Sequence, residues 1–303
     1  MNTRIFLQLI FKGMAMGAAN VIPGVSGGTI ALITGVFERL INAIKSFDVK
    51  AVKLLIKGDI KSLIKHIDLW FLIGLFVGIG IAVLSLAQLF KYLFVAHPVY
   101  IWAFFFGLVM ASIFFVGKRV SRWNFASIAS FVVGTAMAVS ISVLTPASED
   151  SSIPYLFICG IVAICSMIIP GLSGSFVLIL MGNYQLVMIN AVSDLNLNIL
   201  LPVAIGAGVG LIGFSHFLSW LLKKYHNPTI AILTGFIMGS LGILWPWKTE
   251  NTEVFGDKIK TIGYDWFLPT IDTSFFVAVV FIIAGIAAIW LTESLGSKKL
   301  QEK

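Results

Sequence analysis

The sequence predicts an all-α polytopic membrane protein made of two inverted-topology repeats, each a broken, re-entrant helical hairpin followed by three transmembrane helices. Three observations carry this expectation. The 303 residues are 58% hydrophobic and only 12% charged, against roughly 25% charged in a soluble domain. Apolar runs long enough for about 30 Å of hydrocarbon recur along the whole chain. Two of the longest are interrupted by the same kind of proline-glycine-serine cluster. No polar stretch is long enough to bury a core by itself, so no soluble domain is expected. The net charge of +7 reads as positive-inside bias and attraction to membrane lipid. It does not read as nucleic-acid binding, because no basic patch alternates with aromatics on a folded domain. Cys159 and Cys165 share one apolar run and suit neither a disulfide framework nor a metal site. No cofactor is expected. Lys12 interrupts the first apolar stretch, which argues against a cleavable signal.

The elements follow in order. The first hairpin covers 13–44 and is broken at Ile22-Pro23-Gly24-Val25-Ser26-Gly27-Gly28-Thr29. Proline removes a backbone donor and glycine frees the chain, so the helix stops there. An amphipathic helix follows over 49–67. Val49, Val52, Ile56, Ile60, Leu63 and Ile67 recur at helical spacing, as do Lys50, Lys53, Lys57, Lys61 and Lys65; such a helix lies on a membrane surface. Spans are expected at 69–95, 98–117 and 125–145. The second hairpin covers 154–192 and breaks at Ile169-Pro170-Gly171-Leu172-Ser173-Gly174-Ser175-Phe176. Spans at 199–222, 228–247 and 274–293 complete the chain. Trp70, Trp102, Trp123, Trp220, Trp245, Trp247 and Trp290 lie near span ends, as an interfacial belt would place them.

The two breaks are one of three echoes. Gly35 and Gly182 follow them at the same offset, and Phe37 matches Tyr184. Gly107-Leu108-Val109-Met110-Ala111-Ser112 resembles Gly235-Phe236-Ile237-Met238-Gly239-Ser240. Gly78-x-Gly80 resembles Gly208-x-Gly210. Three echoes in one order indicate a duplication, 1–145 and 146–303.

Charge decides the orientation. Lysine and arginine cluster in 45–68, 118–124, 223–227 and both termini, whereas 146–153, 193–198 and 248–273 are acidic. If each broken segment goes in and comes back, every basic loop falls on the cytoplasmic side, with both termini. Re-entrant hairpins and pairs of short full spans share this parity. The glycine-rich tips favour hairpins, because irregular backbone at membrane depth must line protein or a water-filled cavity. Each half then crosses an odd number of times, so the second enters from the opposite face.

At each tip the returning half-helix starts with its N-terminus in the membrane. That end carries unsatisfied N–H groups and partial positive charge. Gly27 and Gly28 admit close approach, Ser26, Thr29, Ser173 and Ser175 add hydroxyls, and Asn20 adds an amide. Gly174 opens the second returning helix. Two such ends make an anion site without a buried cation, and phosphate is the natural ligand. Packing of small residues is the competing reading of either break alone. Glu38 and Arg39 are the charges nearest the first hairpin. Arg39 either snorkels to the headgroups or guides an anionic one; Glu38 is the candidate for a coupling proton. His216, within a span, is either a proton relay or a packed core histidine.

The run Lys12-Gly13-Met14-Ala15-Met16-Gly17-Ala18-Ala19-Asn20-Val21-Ile22-Pro23-Gly24-Val25-Ser26-Gly27-Gly28-Thr29, with Gly35-Val36-Phe37-Glu38-Arg39-Leu40-Ile41, resembles the signature of the PopT-type polyprenyl-phosphate translocases. Pro170-Gly171-Leu172-Ser173-Gly174-Ser175, with Gly182 and Tyr184, resembles the second signature of that bacterial family. Gln185 departs from it, since an acidic residue often follows the tyrosine. The resemblance spans nearly the whole chain. It implies a non-enzymatic flippase of the bacterial cytoplasmic membrane that returns undecaprenyl phosphate from the outer to the inner leaflet; a proton or sodium ion is the candidate coupling partner. Two other readings stand beside it. An undecaprenyl-pyrophosphate phosphatase would carry an arginine where Gly27 and Gly174 stand and paired membrane glutamates, which this chain lacks. A small-anion secondary transporter would use the same tips.

Overall fold

The structure is a computed structural model that describes residues 3–21, 26–144, 147–192 and 194–301. It is mostly helical. Five of the described helices are long and apolar enough to cross a membrane, and up to eight spans result if each bent helix pair counts as one. Apolar side chains stay exposed along them: Ile205, Val209, Ile212 and Phe217 line one helix at 41–58% exposure. Water would penalise such a face and hydrocarbon does not. The chain is a multi-pass membrane protein.

The first half opens with α1 (Thr3–Val21). Residues 22–25, the first part of the first break, lie outside the described residues. The chain resumes as a seven-residue helix, α2 (Gly27–Ile33), and turns at Gly35 into α3 (Phe37–Lys45), bent by 115°. The returning arm is therefore shorter than the sequence suggested. A seven-residue helix rises about 10 Å, and α3 leaves sideways with Phe37 and Ile41 buried and Glu38 and Arg39 exposed. The second half repeats this order. Helix α9 (Ile153–Ile168) leads to the break, then to the seven-residue α10 (Gly174–Leu180). A turn at Gly182 follows, and a π-helix (Gln185–Ala191) leaves at 112°. Gly35 and Gly182 have φ of 72° and 74°; that left-handed backbone is why both turns carry glycine.

The expected amphipathic helix is two helices, α4 (Val49–Ile56) and α5 (Ile60–His66). Gly58, at φ 70°, ends the first, and Asp59 caps the second by accepting from Ser62 N. Asp48 caps α4 through Ala51 N and also meets His66 Nε2 at 3.1 Å, which folds the pair together. The backbone bond to Ala51, then the imidazole, holds the Asp48 carboxyl below its ordinary range.

The expected spans appear as α6 (Leu69–Ala96), α7 (Pro98–Gly117), α8 (Phe125–Ser142), α11 (Leu197–Lys224), α12 (His226–Gly239) with α13 (Leu241–Leu244), and α14 (Thr273–Gln301). The break between α12 and α13 divides the span read as 228–247. One element departs from the all-α expectation. Residues 248–273, read as an acidic loop, contain an antiparallel hairpin of β1 (Lys248–Phe255) and β2 (Lys258–Trp266), turned at Gly256. A two-residue turn with glycine first is a strong hairpin signal, which loop charge alone does not register.

The contacts divide the chain into two compact units: 1–87 with 146–226, and 88–145 with 227–303. Each draws matching pieces from both halves. In the first unit, glycines bring helix backbones together. A side chain at Gly13 would overlap Leu75 O, and one at Gly78 would overlap Ile10 O. In the second half Gly160 stands against Val203 O and Gly206 against Phe157 O. Helix α1 thus meets α6 as α9 meets α11. These contacts also set the register: Gly78-x-Gly80 corresponds to Gly206-x-Gly208, not to Gly208-x-Gly210 as the bare echo suggested. In the second unit the partners are exchanged between halves. Gly107 of α7 and Gly285 of α14 meet Ile282 O and Phe104 O, whereas Gly134 of α8 and Gly235 of α12 meet Ile232 O and Phe131 O.

Candidate functional site

The first returning helix begins at a capped serine. Ser26 is extended (φ −103°, ψ 134°), and its Oγ accepts from Gly28 N at 3.1 Å. Thr29 N donates to Ser26 O at 2.9 Å. Ser26, Gly27 and Thr29 are buried. A serine used as a cap spends an acceptor and keeps its own hydrogen to donate. The side chain of Asn20 lies outside the described residues.

The second returning helix starts differently. Ser173 holds the cap position in extended backbone, yet its hydroxyl makes no bond to the helix; it lies 3.0 Å from Ser175 Oγ. One of the two hydroxyls donates to the other, which leaves the second hydrogen for a third group. Both serines are half-buried. Gly174 presses against Ala163 O and Met167 of α9, where a Cβ would come within 2.6 Å of each. That glycine lets the hairpin arms close.

The two breaks come together. A Cβ on Gly28 would stand 3.1 Å from Ile168 O and 3.7 Å from Pro170 Cα. The start of the first returning helix is therefore packed against the backbone at the second break, beside the Ser26 hydroxyl.

The far ends of the short helices are also matched. The carbonyl of Thr34, at the C-terminus of α2, accepts from Lys12 Nζ at 2.7 Å. The carbonyl of Met181, at the C-terminus of α10, accepts from Tyr155 OH at 2.9 Å. Each donor comes from the opposing arm and satisfies the partial negative end of its partner. Next to Met181, Asn183 is fully buried. Its Nδ2 donates to Asp150 O at 2.7 Å, and its Oδ1 accepts from Asp150 N at 3.0 Å, which fixes the loop before α9. Sequence reasoning missed Tyr155 and Asn183 and read Lys12 only as an interruption. The visible signal was one polar group per arm facing a glycine turn.

The charged candidates lie elsewhere. Arg39 makes a bidentate pair with Asp68 (2.6 and 3.0 Å) and stacks 4.3 Å from the Phe71 ring centroid. Glu38 meets His226 Nε2 at 3.2 Å. Both acidic partners and both basic ones are partly exposed. His216 bonds through Nδ1 to Ile212 O of its own helix at 2.9 Å. Thus Gly28 of the first returning helix lies against Ile168 and Pro170, ahead of Ser173, Gly174 and Ser175. Glu38 and Arg39 sit on the bent helix α3. Among the described residues no cluster could hold a metal ion.

Comparison with known proteins adds the family. Residues 16–261 match the model of a family described as undecaprenyl phosphate translocase-like. A polyprenyl-phosphate transporter of Vibrio cholerae is 36% identical over 312 residues, covering 100% of this chain and 99% of that protein. One of Staphylococcus aureus is 32% identical over 271 residues, covering 80% and 87%. Both are named as transporters, not enzymes. No solved structure matches. The chain belongs to the undecaprenyl phosphate translocase-like family.

Proposed function

We propose that this protein returns undecaprenyl phosphate from the outer to the inner leaflet of the bacterial cytoplasmic membrane, so that the lipid carrier can serve again in building cell-envelope polymers such as peptidoglycan. The observation that carries the reading is the meeting of Gly28 with Ile168 and Pro170. An anion crossing hydrocarbon needs fixed donors at depth, and the hydroxyls of Ser26, Thr29, Ser173 and Ser175 at the starts of the two returning helices supply them without a buried cation. The names of the two relatives support the cargo.

In this reading the halves 1–145 and 146–303 are inverted repeats. The matched glycine contacts in each unit favour a two-fold relation, since each first-half contact has a second-half counterpart. The hairpins are re-entrant: a return of about 10 Å from each face brings both tips toward the middle of roughly 30 Å of hydrocarbon. Both termini are cytoplasmic. The phosphate takes hydrogens from Ser26, Thr29, Ser173 and Ser175, with Gly27, Gly28 and Gly174 admitting it, and Asn20 at the rim. Arg39 receives the headgroup near the cytoplasmic surface. Proton coupling belongs to Glu38, which faces the titratable His226, in preference to His216, which bonds to its own helix.

The test is transport in proteoliposomes carrying fluorescent polyprenyl phosphate, with phosphate release from polyprenyl pyrophosphate assayed in parallel. Lipid should move without phosphate release. Ser26→Ala combined with Ser173→Ala should slow movement at least tenfold, about the effect of one lost hydrogen bond to a charged group, with insertion intact. Phosphate release by the wild type, or full speed in the double variant, would overturn the reading.

A further inference from the structure

Within the second compact unit, a cavity of about 400 Å³ opens between α7, α13 and the strand end. Phe106, Gly242, Trp245, Trp266, Phe267 and Leu268 wall it. Its polar groups are already used. Trp245 Nε1 donates to Phe267 O at 3.1 Å, and Trp266 Nε1 donates to Gly242 O at 2.7 Å. What remains is hydrocarbon and ring faces, which recognise an apolar chain and offer a polar ligand nothing.

A cation adjoins this slot. Lys248 pairs directly with Trp266 across the β ladder. Its Nζ caps Ile243 O, one residue beyond Gly242, and lies 3.5 Å from the Trp102 ring centroid and 4.7 Å from that of Tyr264. Among the described residues no carboxylate is within ion-pair reach of it. Glu250, two residues on, is engaged by Thr261 Oγ1 at 2.7 Å. The buried amine is held by a carbonyl and two rings, and Glu250 acts on it only through space, without an ion pair.

From this juxtaposition we infer a second lipid site: the cavity seats the isoprenoid chain of a polyprenyl phosphate, and Lys248 faces its phosphate. The inference rests on the transport reading and adds a docking place outside the paired breaks. Charge complementarity selects an anionic ligand, and a cavity of about 400 Å³ suits one chain better than the two of a diacyl phospholipid.

The experiment uses the full chain in nanodiscs with geranylgeranyl phosphate bearing a diazirine on its last isoprene, and the matching alcohol as control. Label should land on the peptides holding Trp245 and Trp266–Leu268. Gly242→Phe should cut labelling at least tenfold: a Cβ there meets nothing within 4 Å, so the ring fills the cavity without displacing backbone. An unchanged thermal midpoint would verify its fold. Lys248→Met should lower labelling by the phosphate to that by the alcohol. Labelling unaffected by Gly242→Phe, or displaced equally well by diacyl phosphatidylglycerol, would overturn the site. Wild-type protein that transports polyprenyl phosphate yet takes label elsewhere would refute this site alone; wild-type protein that transports none would refute the transport reading.

Discussion

At the scale of single residues, burial decides what each charge can do. Lys248 lies outside the spans, packed between Trp102 and Tyr264, and desolvation lowers its pKa from 10.5 to about 7, with Glu250 opposing. The sign follows directly. Unfolded chain keeps that proton up to the ordinary lysine range, and folded chain releases it near 7. Between these values the unfolded state binds more protons, so stability rises with pH across this window. The thermal midpoint of detergent-solubilised protein should climb from about pH 7 toward pH 10, and Lys248→Met should flatten the climb. A climb of the same size in the variant would place its origin elsewhere. Arg39 shows the same logic on the surface. The sequence reading left it between snorkelling and headgroup guidance, and Asp68 with Phe71 now accounts for its position. No inspection of 13–44 alone could find a partner beyond the next helix.

Among elements, glycine separates packing from conformation. Gly107, Gly134, Gly235 and Gly285 each face a carbonyl of a neighbouring helix, whereas Gly80 and Gly208 have nothing within 4 Å of a would-be Cβ. Gly80→Ala and Gly208→Ala should be neutral or gain up to about 1 kcal/mol from helix propensity. Gly107→Ala or Gly285→Ala should lower the thermal midpoint clearly, because backbone must move. Equal effects at both kinds of site would refute the contact pattern. The break at Pro170 and the helix start at Gly27 were legible because proline, glycine and serine act locally. The interruption of 49–67 was missed because the apolar period continues through Gly58 and Asp59, and a left-handed glycine followed by a cap outweighs it. The β-hairpin was hidden by attention to its charge, although Gly256-Asp257 sits between its strands. The register of the glycine echo needed tertiary contacts: Gly206, Gly208 and Gly210 offer two alignments, and only the meeting with Phe157 selects one.

For the whole molecule, the apolar runs that form the long helices could be read from hydropathy, while the pairing of helices could not. Helix α7 takes α14 and α12 takes α8, an exchange between halves that no linear pattern announces. Orientation rests on loop charge. Cysteines placed at Lys57 and at Asp257 should react with a membrane-impermeant maleimide from opposite sides in intact cells, with Asp257→Cys labelled from outside. Labelling of both from one side would undo the inverted arrangement. The most direct test concerns the meeting of the two breaks. It measures polyprenyl-phosphate movement in proteoliposomes by Gly28→Val, with Gly80→Ala as the packing control. A Cβ at Gly28 would stand 3.1 Å from Ile168 O, and the two methyls of valine add bulk at that contact. The expected result is wild-type movement in Gly80→Ala and at least tenfold slower movement in Gly28→Val, with unchanged insertion. Wild-type speed in Gly28→Val would contradict a phosphate path between the breaks.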